Sequence, residues 1–126
     1  MFELTINEKV YNFNFGMGFL REINKIVKTP VDGLPKVEKN IGLRYHLAGV
    51  IDGDLEALCT VLDIGNKSCN PRLTKQELDA FIDNEETDID ELFTTVLDFL
   101  KQANATKNTV ADIMEAVEAQ KAQAQA

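Results

Sequence analysis

Few side chains in this sequence could carry out covalent or proton-transfer chemistry. His46 is the single histidine. It lies beside Tyr45 on an apolar, helix-like stretch, where a histidine ordinarily packs or faces solvent rather than catalyses. The sequence places no Ser or Cys near it, so a nucleophile–base pair has no partner. Cys59 and Cys69 match neither a zinc nor a redox spacing. Cys59 falls on an apolar stripe, as a small core residue would, and Cys69 falls in a loop beside Asn70-Pro71. A disulfide between them is open in principle but disfavoured in a reducing cytosol.

Three further patterns invite a ligand. Gly16-Met17-Gly18 resembles a phosphate loop only superficially. Arg21 stands where the dinucleotide fingerprint needs its third glycine, and the Gly-Lys-Ser/Thr of a P-loop is missing. Glycines easing a strand-to-helix bend explain the run. Asp52, Asp54 and Glu56 lack the spacing and central glycine of a calcium loop; Asp54 reads as a helix N-cap and Glu56 as a solvated residue. Six acids lie between Asp83 and Glu91. They read either as a patch for a cation or basic partner, or as helix-start residues complementing the helix dipole. Asp83, Glu85 and Thr87 alternate like calcium ligands, but no glycine follows where a calcium loop needs one. The expectation is therefore no catalytic residue, no metal, no cofactor and no enzyme.

The elements come next. The 126 residues make one domain, and 44% hydrophobic content supplies a core. A net charge of −8 speaks against nucleic acid and anionic membranes as partners, and suits a basic one. No apolar run approaches the ~20 residues of a membrane span. The N-terminus does not read as a signal peptide, so the expected location is the cytosol.

Phe2, Leu4 and Ile6 alternate with polar residues, as do Tyr11, Phe13 and Phe15, with Asn7-Glu8-Lys9 as turn. This predicts a β-hairpin with one aromatic face. An isolated hairpin is marginal in water, so that face needs cover. From Met17 the spacing becomes helical, with Met17, Leu20 and Ile23 widened by Phe19, Ile26 and Val27. Pro30, Gly33 and Pro35 predict a loop from Lys28 to Pro35. A helix is expected over Val37–Ile51 and another from Leu55, the first closed by Gly53 and the second capped by Asp54. Thr74-Lys75-Gln76-Glu77 is a capping box opening a short helix. Ile89, Leu92, Phe93, Val96, Leu97 and Leu100 form the cleanest amphipathic stripe, with Phe99 outside it. After Ala103-Asn104-Ala105, Thr106 can cap a last helix bearing Val110, Ile113, Met114 and Val117 on a narrow face. No strand is expected after the hairpin. The predicted fold is α+β, mostly α: an N-terminal β-hairpin followed by five to six helices. Residues 1–118 form the domain, and 119–126 a flexible low-complexity tail.

The stretch FNFGMGFLREIN at Phe13–Asn24 resembles phage tail assembly chaperones, specifically those of long-tailed (siphovirus-type) phages or prophages of Gram-positive bacteria. GLRYHLAGVIDGDLEAL and PRLTKQELDAFIDNEETDIDELFTTVLDFLKQANATKNTV fit the same family in order, so the resemblance runs to about Val117. It implies a protein that binds the tape measure protein, keeps it soluble and helps recruit tail tube subunits. It further implies action in the host cytoplasm, absence from the mature virion, and the short form of a ribosomal-frameshift pair whose longer form mainly recruits tube protein. Val110, Ile113, Met114 and Val117 are the candidate partner-binding residues, with core packing as their competing role. Self-association is expected if several copies coat an elongated partner. A minor virion structural protein, such as a head–tail connector or tail completion subunit, is the alternative.

Overall fold

The computed structural model describes residues 2–124. Strands β1 (Phe2–Ile6) and β2 (Lys9–Phe13) pair antiparallel, Phe2 opposite Phe13 and Leu4 opposite Tyr11. Asn7 and Glu8 form the turn with φ of 52° and 68°, the mirror-image turn whose twist suits a two-residue connection. Period two then sends Phe2, Ile6, Tyr11 and Phe13 into the core. Their rings interlock, with centroids 5.3 Å apart for Phe2–Phe13 and 6.0 Å for Phe2–Phe15. The strand ends at Phe13, two residues sooner than the alternation suggests. Phe15 stays buried and packs edge-on against Phe19 at 5.1 Å.

Helix α1 (Met17–Asn24) buries Phe19 and Ile23. Met17 and Ile26, expected on its apolar stripe, are exposed; α1 ends before Ile26, and the chain leaves the core there.

The next segment corrects the sequence reading. Lys28–Val31 and Leu34–Asn40 are strands β3 and β4, a second antiparallel hairpin, where a loop and the first turns of a helix were expected. Asp32-Gly33 closes it, Gly33 adopting φ 78°, and Pro30 and Pro35 forbid a helix. The two sheets do not join. Helix α2 accordingly starts at Gly42 rather than Val37 and runs to Ile51. A Cβ on Gly42 would lie 1.9 Å from the Ile23 carbonyl oxygen, so only glycine lets α2 cross α1 this closely.

Gly53, with φ 83°, lies just past the Asp52 C-cap of α2, and Asp54 caps α3 (Leu55–Asn66) by accepting the Glu56 N–H. The Thr74–Glu77 capping box opens α4 (Lys75–Asp83). Asp88 caps α5 (Ile89–Gln102) by accepting the Glu91 N–H. Helix α6 runs from Lys107 to Ala124. Among the described residues six helices follow the first hairpin, and helix makes up 58% and strand 17%, so the fold is α+β, mostly α. Of the expected tail, residues 119–124 continue α6 as exposed helix, and 125–126 lie outside the described residues.

Asn66 joins three parts of the molecule. Its buried amide donates to the carbonyls of Asn12 (3.0 Å) and Pro71 (3.1 Å), and its oxygen accepts from the Leu73 N–H (2.6 Å) and Arg72 Nη1 (3.0 Å). The end of β2, the close of α3 and the loop to α4 are thereby tied at one side chain. The Tyr11 hydroxyl adds a second tie, donating to Glu77 Oε2 at 2.7 Å.

Candidate partner-binding surfaces

Helix α6 packs on α2 and α5. It is reached through a tight corner in which Thr106, fully buried, donates its hydroxyl to the Leu100 and Ala103 carbonyls. The threonine thus closes the end of α5 with its hydroxyl, and at the expected start of α6 its carbonyl accepts the Val110 N–H at 3.0 Å. Of the candidate contact residues, Val110 and Ile113 are only 1% and 6% exposed, inside the chain's own core. Met114 and Val117 lie half-buried along its border. Arg44 pairs with Asp112 across α2 and α6 at 2.6 Å, but both are well exposed, so the pair adds little to stability. The intact surface of α6 therefore presents Met114 and Val117, and it presents Val110 and Ile113 only if the helix detaches.

Phe99 does two things. Its ring sits 4.7 Å from that of Phe2, and it remains 36% exposed. With Phe13, Phe15, Met17 and Ala103 these rings line an open groove of about 600 Å³ where the first hairpin meets the α5–α6 corner. Apolar surface of this kind suits a protein partner.

The β3–β4 hairpin is the most exposed element. Every residue of β4 is exposed, Leu34 and Val37 among them. The two strands make their extensive contacts with each other alone, and the hairpin stands off the body as an arm. No feature of the sequence singled it out, because Pro30, Gly33 and Pro35 masked a strand pattern that has no apolar face.

The residues with chemical potential are held in structural roles. His46 is buried, its Nδ1 donating to the Gly42 carbonyl at 2.7 Å within α2. Burial, reinforced by Asp79, Glu56 and Asp83, pushes the Cys59 thiol above its ordinary range, the opposite of what a nucleophilic cysteine needs. Asp88, Asp90 and Glu91 belong to the start of α5. Among the described residues no three His, Cys, Asp or Glu side chains converge as a metal site would require. No helix among them is long and apolar enough to cross a membrane.

Residues 3–115 match the family model described as phage tail assembly chaperone protein, TAC. That is most of the chain, and the chain belongs to this family. No curated protein and no solved structure matches it.

Proposed function

We propose that this chaperone binds the tape measure protein of a long-tailed phage, or prophage, of Gram-positive bacteria. It keeps that protein soluble and helps bring tail tube subunits to it. The match of residues 3–115 to the family carries the reading. The surface supports it through apolar side chains that the fold leaves available, including Phe99, Met17, Met114 and Val117. Several copies would cover apolar surface on the tape measure protein, Met114 and Val117 of α6 forming one contact with Val110 and Ile113 as its root. Tube polymerisation would displace them. Without a nucleotide motif, release is driven by competing contacts. The protein acts in the host cytoplasm and is left out of the mature virion. It is the short form of a frameshift pair, and the longer form mainly recruits tube protein.

Co-expression with the tape measure protein of the same genome tests this. The expected result is a soluble, co-purifying complex where tape measure alone is insoluble. An unchanged tape measure and no complex overturn the reading. Recovery of this chain from purified virions would instead favour a connector or completion subunit.

A further inference from the structure

The arm carries the opposite charge to the rest of the chain. From Lys28 to Asn40, three lysines (Lys28, Lys36 and Lys39) stand against Asp32 and Glu38, so the arm is net +1. The whole chain is −8, which leaves −9 on everything else. Leu34 and Val37 lie exposed between the lysines. Among the described residues, none of the three lysines is in an ion pair. A seven-residue strand spans roughly 23 Å, and nothing in its own body covers it.

A surface of matching character lies elsewhere on the molecule. Between β1, α4 and α5 runs a shallow groove of about 510 Å³, with Leu4, Phe81 and Leu92 as floor and Glu86, Asp88 and Glu91 as rim. Asp83, Glu85 and Asp90 add to the charge around it, and no lysine or arginine lies between Asp83 and Glu91. Helix-start chemistry accounts for Asp88, Asp90 and Glu91, but not for Glu85 and Glu86, which precede the cap.

We infer that the β3–β4 arm of one copy docks in the β1–α4–α5 groove of a second copy of this chain. Leu34 and Val37 meet the apolar floor, and Lys36 and Lys39 meet Glu86 and Glu91. The occupant follows from complementarity in both respects: the chain offers an apolar-cored basic arm and an apolar-floored acidic groove. Strand addition at the arm's edges fits less well, because Pro30, Pro35 and the irregular register after Pro30 blunt them. Arm and groove are different surfaces, so the contact is heterologous and a docked pair retains one free arm and one free groove. The inference deepens the proposal that several copies coat one partner and rests on it for its purpose, though not for its test.

That test is sedimentation velocity of the purified chain alone, at about 50 mM and about 500 mM salt. The expected result is concentration-dependent growth past the dimer at low salt, reversed at high salt. Lys36→Glu with Lys39→Glu should weaken association by roughly tenfold or more, and Glu86→Lys with Glu91→Lys should do the same. Mixing the two double variants should restore it, since each then offers what the other lacks. All four positions are exposed, so unchanged melting temperatures would establish that the variants fold. A wild-type chain that stays monomeric, or variants that associate as before, overturn the inference. Tape measure is absent from the sedimentation assay, so its failure leaves the solubility test of the chaperone reading intact.

Discussion

The chain contains two β-hairpins used in opposite ways. In the first, β1–β2, period two delivers Phe2, Ile6, Tyr11 and Phe13 to the core. Asn66, Glu77 and the Gly65 carbonyl, which accepts the Asn14 N–H at 2.8 Å, fasten its second strand and the residue just past it to the helices. In the second, β3–β4, no side chain is buried. The same backbone motif is a structural keystone in one place and a free arm in the other. The difference lies in side-chain alternation: aromatic on one face in the first, charged and apolar mixed in the second.

The largest expected contrast comes from truncating each hairpin. Phe13→Ala should cost about 3–5 kcal/mol, as large-to-small core changes do, read by urea denaturation. Next is Asn66→Ala, which strands the Leu73 N–H and the Asn12 and Pro71 carbonyls. At about 1–3 kcal/mol for each buried group left unpaired, this should rival an aromatic truncation, and a calorimetric melt would show it. A loss too small to measure would mean that water replaces the amide.

Smaller, and set by pH, is the Tyr11–Glu77 tie. The hydrogen bond from Tyr11 is the main cause holding the Glu77 carboxyl below its ordinary 4.5. Its stabilisation is therefore complete above about pH 4.5 and lost as pH falls through the lowered folded-state value. The same bond, more than burial, holds the Tyr11 hydroxyl above 10.0, so that part is complete below pH 10 and lost as pH rises through the raised value. Tyr11→Phe should remove the alkaline loss and flatten the acid one in a plot of melting temperature against pH. The smallest effect belongs to the arm: Val37→Ser should change stability by no more than about 0.5 kcal/mol. A large loss there would mean that the arm packs on the body in solution.

The first hairpin was legible because its aromatic face writes a period of two into the sequence. The helices were legible for the same reason at their own period, and the caps at Asp54 and Thr74 because capping is local chemistry. The arm was not, since a strand with both faces in water leaves no periodic trace, and its prolines and Asp32-Gly33 read as loop. Asn66 was hidden because its partners lie at Asn12 and at Pro71–Leu73, and no local pattern announces such a contact. For the docking surface, the stripe of Val110, Ile113, Met114 and Val117 showed that α6 has an apolar face but not that the core already covers Val110 and Ile113. Phe99 lies off its stripe, a position that suggests either packing on a second neighbour or exposure to a partner, and it does both, resting on Phe2 while 36% exposed.

The isolation of the arm separates two kinds of selection. A substitution in β1–β2 is judged first by whether the protein still folds, because nearly every inward side chain there carries packing. A substitution between Lys28 and Asn40 leaves the packed body untouched and is judged only by what the arm meets. Local opening of the arm should likewise occur without global unfolding. Stability therefore constrains β1–β2 tightly and leaves Lys28–Asn40 almost unconstrained.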